Sequence, residues 1–156
     1  MCYQSKPRHT AAGDLIAILH RVYDDNRIQT AGSTCWCRLL LSNTCRGEIL
    51  GELRCEEPRN TKKFLGQKLN VTVWTYATEH TQPVPAQRYQ NPVFVRFALI
   101  AGAGPTIVNP DARDGLDGVD RRDFDLTVAD RGIVGREVDV ANEQGKVLGR
   151  GIIGWN

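Results

Sequence analysis

Residues 35–55, CWCRLLLSNTCRGEILGELRC, decide the fold class of this sequence. Cys35, Cys37, Leu39 and Leu41 alternate with their neighbours, and a similar alternation resumes after the NTCRG segment. A repeat of two residues places one set of side chains on one face of a strand. Asn and Gly in so short a gap tolerate the positive φ that a tight reversal needs. The stretch therefore predicts a β-hairpin.

A second hairpin is predicted near the end of the sequence. Val134, Val138 and Val140 share one face, which Arg136 interrupts, and the sequence NEQG follows at residues 142–145. Asn, two polar residues and Gly are typical of a type I turn that ends in a left-handed glycine. The return strand is then expected to run from Lys146 to Trp155.

Two more strands are predicted between the hairpins, over 69–76 and 93–101. The first alternates apolar and polar residues, whereas the second is apolar on both faces except at Arg96. A strand that is apolar on both faces is typical of a central position, covered on both sides.

The segment 14–23 fits two structures. Leu15, Ile18, Leu19 and Val22 have the spacing of a helical stripe. Ile16, Ile18 and Val22 also fit a strand, and of the two we predict the helix.

These patterns predict one domain over residues 1–156 that is mainly β, with an α+β fold as the alternative. Several short strands with turns between them must close or stack to bury one face. We therefore expect a small antiparallel β-barrel or sandwich built from hairpins, with at most one or two short helices. The composition agrees, since 41% of the residues are hydrophobic and the formal net charge is only +2. No apolar run approaches the roughly 18 residues of a membrane span, so we expect no membrane partner.

The cysteines leave three alternatives. Four of the five lie at positions 35, 37, 45 and 55. Their spacing is a poor match to a zinc site, which usually pairs ligands as CxxC. A hairpin centred on Cys45 would place Cys35 opposite Cys55, within reach of a disulfide. Because no secretory signal is visible, we expect a cytoplasmic protein whose cysteines are free and buried.

Aromatic and basic residues suggest a binding surface. Trp74 and Tyr76 share the polar side of their predicted strand, and Arg88, Tyr89 and Arg96 follow in the next loop and strand. Aromatic rings stack on flat groups, and guanidinium groups hold anions. We predict these five as ligand-binding residues, with a second layer of core as the alternative for the aromatics.

Two charged segments have weaker implications. The basic residues Arg59, Lys62, Lys63 and Lys68 could meet an anion, although a solvated loop is the favoured interpretation. Acidic residues recur between Asp111 and Asp125 and could wrap a hard cation. Their spacing departs from that of an EF-hand loop, so we predict a salt-bridged loop and no metal site.

Catalytic motifs are absent from the sequence. It contains no GxSxG, P-loop or dinucleotide-binding fingerprint, and no pair of histidines has the spacing of metal ligands. We therefore predict no catalytic residue and no cofactor. His80, beside Glu79, is the best candidate for a general base if the protein is an enzyme.

Three functional hypotheses follow. The first is a small, soluble, non-enzymatic β-barrel module that binds a protein partner, a second copy in a homodimer, or a small ligand in the barrel mouth. The second is an OB-like protein that binds single-stranded nucleic acid through the five residues above and Trp36. The third is a small enzyme whose site is assembled from loops around His80.

Overall fold

Eight antiparallel strands form a sheet that nearly closes into a barrel. The structure is a computed structural model, and it describes residues 14–22, 36–55, 62–76, 92–111 and 124–156. The strand order in the sheet is β5-β4-β7-β8-β1-β2-β3-β6. The prediction of a mainly β, antiparallel barrel is confirmed. The strands are β1 (Leu15–Arg21), β2 (Cys37–Asn43), β3 (Ile49–Cys55), β4 (Lys68–Trp74), β5 (Val93–Ile100), β6 (Thr106–Ile107), β7 (Glu137–Ala141) and β8 (Val147–Trp155).

Both predicted hairpins are present and share one turn geometry. Gly47 and Gly145 have φ angles of 83° and 84°, the left-handed conformation that favours glycine. In the first turn the Thr44 Oγ1 accepts the backbone N–H of Glu48 at 3.1 Å. In the second turn an Asn142 Oδ1 accepts the backbone N–H four residues later, at 2.9 Å. A short polar side chain before a left-handed glycine therefore makes both reversals.

The helix predicted over 14–23 is wrong, because this segment contains strand β1. β1 lies between β8 and β2, so its backbone is paired on both sides. Leu15, Ala17 and Leu19 are buried in alternation, which is the pattern of a strand. The sequence obscured it because Ile18 on the outer face completes a helical stripe with Leu15, Leu19 and Val22. Pairing with two neighbours outweighs a local periodicity that fits either structure.

The central position predicted for the strand at 93–101 is also wrong. β5 lies at one end of the strand order and pairs with β4 alone among the strands. Residues 106–111 run between β5 and β3 and contact both. The N–H of Val108 donates to the carbonyl of Ile49 at 2.8 Å, and that of Asp111 donates to the carbonyl of Arg96 at 2.7 Å. This segment covers the seam at which the barrel would otherwise be open.

The prediction of free cysteines is wrong, because Cys37 and Cys55 form a disulfide. The two residues are directly opposite in the register of β2 and β3. That register is centred on Arg46, because Asn43 pairs with Ile49. The hypothetical bridge from Cys35 assumed a turn centred one residue earlier, and such a shift changes the facing partner by two residues. Cys45 is disulfide-bonded as well, while Cys2 and Cys35 lie outside the described residues.

The barrel interior is filled by aliphatic and aromatic side chains from every long strand. The Phe97 ring stacks on Phe124 with centroids 6.1 Å apart and planes nearly parallel. Val71 and Val73 of β4 and Val140 of β7 have no exposed surface. Every second residue of these strands points to the opposite face, where polar side chains are found.

A buried charge cluster lies on that opposite face. Arg150 is only 3% exposed, and its Nε donates to Asp139 Oδ1 at 2.6 Å and lies 3.1 Å from Glu137 Oε1. Asp139 and Arg150 are directly opposite in the β7–β8 register. One guanidinium therefore lies against two buried carboxylates. Such a cluster is costly to break, because removing the guanidinium takes a positive charge away from two anions that are shielded from water.

Replacing Arg150 by Ala should lower the free energy of unfolding by about 3–5 kcal/mol, because Glu137 and Asp139 lose the guanidinium that contacts both of them. Urea unfolding followed by circular dichroism measures the loss. Arg54→Ala is the control, since Arg54 is 59% exposed where it pairs with Glu52, and it should cost less than about 1 kcal/mol. Equal losses in the two variants would contradict a compensating role for Arg150.

Disulfide mapping should show whether Cys55 is bonded to Cys37, as in the structure, or to Cys35. Trypsin cleaves after Arg38 and Arg54, so Cys55 is recovered in a peptide separate from Cys37. The linked pair of peptides should persist in Cys35→Ser and disappear in Cys37→Ser, as measured by mass spectrometry without reduction. Persistence in Cys37→Ser would contradict the β2–β3 register.

Candidate functional site

A cavity of about 740 Å³ opens at one end of the barrel. It lies where β1 ends and β4 begins, beside the turn that joins β7 to β8. A short helical turn at 62–64 forms another wall. The volume lies within the roughly 300–1,000 Å³ of typical small-molecule sites.

The floor of the cavity is apolar. The Trp36 and Phe64 rings meet edge to face, with centroids 5.4 Å apart and planes at 85°. They are 2% and 7% exposed, so the cavity reaches only their outermost surface. Val22 and Leu148 complete the floor, and the Val22 N–H donates to the Leu148 carbonyl at 3.0 Å. Two aromatic rings held by the barrel therefore form a fixed surface.

Gly149 of β8 makes room for Trp36. A Cβ atom at this position would lie 2.5 Å from Cε3 and 2.7 Å from Cζ3 of the indole. The Trp36 backbone is fixed from the other side, since its N–H donates to the Leu19 carbonyl at 2.9 Å. The indole is therefore held against bare backbone, and its position depends on a glycine distant in the sequence.

The rim is polar and mostly basic. Among the described residues, Arg21, Lys63, Lys68 and Lys146 line it together with one carboxylate, that of Glu143. All five residues are exposed. The uncharged part of the rim comes from Gln67, Asn142 and Gln144.

The ligand-binding residues predicted from the sequence lie elsewhere or outside the described part of the chain. Trp74 is half-buried at the end of β4, and Tyr76 follows it with 65% of its surface exposed. Lys68, at the other end of β4, lines the cavity, and six residues of strand span about 20 Å. Arg88 and Tyr89 lie outside the described residues.

Arg96 is on β5, directly opposite Thr72 of β4. Its Nε donates to the Thr72 Oγ1 at 3.1 Å. Arg96 therefore lies on the strand next to the one that carries Trp74. None of the three described members of the predicted set lines the cavity. Their role in ligand binding stays a prediction.

The sequence contained a partial signal for the cavity. Lys63 and Lys68 belong to the basic stretch that could meet an anion, but a solvated loop was favoured. Phe64 was not singled out, and Trp36 entered only the nucleic-acid hypothesis. A glycine at 149 on the inner face of a strand is the remaining signal, because an interior glycine marks the close approach of another group.

Among the residues that the structure describes, no group of three or more His, Cys, Asp and Glu side chains could hold a metal ion. His80 and residues 112–123 lie outside them, so the base predicted at His80 and most of the acidic run cannot be placed.

No helix in the described segments has both the length and the apolar character needed to cross a membrane.

A comparison of the chain with protein-family models, curated proteins and solved structures found no match. The candidate site is therefore defined by its own geometry, which consists of a fixed aromatic floor, a basic rim and an opening at one end of the barrel.

Replacing Gly149 by Ala should displace the Trp36 indole, because the added methyl group would overlap its ring. With Trp74 and Trp155 replaced by Phe, the remaining tryptophan emission should shift to longer wavelength. Stability should fall by about 1–3 kcal/mol, as for other overpacked sites.

Gly154→Ala is the matched control in the same strand, since a Cβ there would meet nothing within 4 Å. It should leave both the emission and the stability unchanged. An unshifted emission in Gly149→Ala would contradict the role assigned to this glycine.

Proposed function

We propose that this protein is a small β-barrel binding protein that holds a small ligand in the cavity at the barrel end, without covalent chemistry. The observation that carries the proposal is the fixed pair of Trp36 and Phe64 beneath a polar rim. The larger part of the lining is polar, so charges and hydrogen bonds at the rim would orient a ligand that rests on this small apolar floor.

The rigidity of the floor supports this function. The edge-to-face packing with Phe64 and the close approach to Gly149 restrain Trp36 before any ligand arrives. A preorganised site loses less conformational entropy on binding. A ligand that buries roughly 150 Å² of apolar surface would gain about 4 kcal/mol, and polar contacts at the rim would add to this.

The other hypotheses stay predictions. Single-stranded nucleic-acid binding is supported by the exposed Tyr76 ring, which could stack on a base. A homodimer and a protein partner have no support of their own in the described residues. An enzyme built around His80 needs a residue that lies outside them.

The cytoplasmic location is also a prediction, and its basis has changed. It relied on the absence of a visible secretory signal and implied free cysteines, whereas Cys37 and Cys55 are bonded. Disulfides persist mainly in oxidising compartments. The bridge therefore weighs against the expected location.

The neutral fluorescent probe N-phenyl-1-naphthylamine tests the proposed function. We expect saturable binding at one site with a Kd in the micromolar range, about −8 kcal/mol. Phe64→Ala should weaken it about tenfold or more, because the probe loses part of the floor. Phe64→Leu keeps an apolar side chain of similar size and should weaken probe binding less. This variant still tests the proposal if Phe64→Ala fails to fold.

Tyr76→Ala is the control, because Tyr76 follows the opposite end of β4. It should leave probe binding unchanged. Binding that is insensitive to both changes at Phe64 contradicts the proposal, and loss of binding in Tyr76→Ala instead would place the ligand at the end predicted from the sequence.

A further inference from the structure

We infer that the cavity selects aromatic anions, with the ring of the ligand over Phe64 and Trp36 and its acidic group between Lys63 and Lys68. The inference rests on the proposed function and names the chemical class of its ligand. A carboxylate, phosphate or sulfonate would supply the same negative charge.

The first argument is a local imbalance of charge. Along the chain, 20 Lys and Arg nearly balance 18 Asp and Glu. In the described lining of the cavity, Arg21, Lys63, Lys68 and Lys146 outnumber the one acidic residue, Glu143. Clefts lined by one sign of charge concentrate ligands of the opposite sign. The mouth of this cavity therefore favours an anion although the protein as a whole is almost neutral.

The second argument is the position of the two lysines relative to the aromatic floor. Lys63 and Lys68 flank Phe64 within one short segment, and the Lys63 Nζ lies 5.5 Å from the centroid of the Phe64 ring. The Gln67 Nε2 donates to the Lys63 carbonyl at 3.0 Å, which ties this turn together. Lys68 is the first residue of β4 and pairs with Ile100. A ring resting on Phe64 would thus place an attached acidic group near two lysines whose backbone positions are fixed by these contacts.

The third argument is the distribution of charge around the rim. Glu143 lies in the turn between β7 and β8, three residues before Lys146, so this hairpin brings one charge of each sign to the lining. The segment of Lys63 and Lys68 brings two positive charges and no negative one. Asn142 and Gln144 beside it can bond to uncharged polar groups. The acidic group of the ligand is therefore directed toward Lys63 and Lys68.

A matched pair of probes tests the inference. 1-Anilinonaphthalene-8-sulfonate has the ring system of N-phenyl-1-naphthylamine and one added sulfonate. We expect the sulfonate probe to bind about tenfold more tightly at low salt. Raising sodium chloride from about 0.05 to 0.5 M should remove most of this difference, because salt screens exposed charges.

Two lysine variants locate the effect. The double variant Lys63→Ala and Lys68→Ala should weaken the sulfonate probe about tenfold and change the neutral probe by less than about twofold. Lys62→Ala is the control, because Lys62 adjoins Lys63 and is also exposed, but it does not line the cavity. It should affect neither probe.

The possible failures are distinguishable. If the neutral probe binds in a Phe64-dependent way and the sulfonate probe binds no better, the selectivity for anions is overturned while the binding function stands. If binding of neither probe depends on Phe64, the proposed function itself fails. Inorganic phosphate and naphthalene-1-sulfonate are compared as competitors of the sulfonate probe. If phosphate displaces the probe at equally low concentration, the aromatic ring contributes nothing to binding, and that part of the inference is overturned.

Discussion

The contact between Trp36 and the bare backbone at Gly149 is the constraint on which this end of the barrel depends. It joins the start of β2 to β8, and the N–H of Trp36 is bonded to the Leu19 carbonyl of β1. Three neighbouring strands therefore fix one indole. Phe64 packs on that indole from outside the sheet, and the cavity opens above the pair.

β8 uses its two faces for different purposes. Toward the interior it presents Gly149 and Gly151, where a Cβ would collide with the Trp36 ring and with the Ile18 carbonyl. Toward the other face it presents Arg150, bonded to Asp139 of β7. The strand thus approaches β1 and Trp36 closely because side chains are missing on one face. It is tied to β7 by a charged contact on the other.

Local chemistry explains what could be predicted from the sequence. Both hairpins were predictable because a polar residue before a left-handed glycine determines each reversal within five residues. The disulfide partner of Cys55 could not be predicted in this way, since it depends on whether the first turn is centred on Cys45 or on Arg46. β1 was mistaken for a helix because its apolar residues satisfy both periods.

The candidate site was less predictable for a different reason. Its floor and rim come from segments separated by more than a hundred residues, from Arg21 to Leu148. No local pattern indicates that Trp36, Phe64 and Gly149 meet. The aromatic residues that did stand out are Trp74, the last residue of β4, and Tyr76 just after it. Lys68 is the first residue of the same strand, so the predicted site and the cavity lie at opposite ends of β4.

The dependence of Trp36 on Gly149 also constrains how this sequence can diverge. A relative with a larger residue in place of the glycine fits best with a smaller side chain in place of the indole. The two positions should therefore vary together across any lineage that retains the cavity, although 112 positions separate them. The joint presence of a large aromatic residue and a distant glycine is a better mark of descent for this barrel than either of its hairpin turns, which many unrelated sequences share.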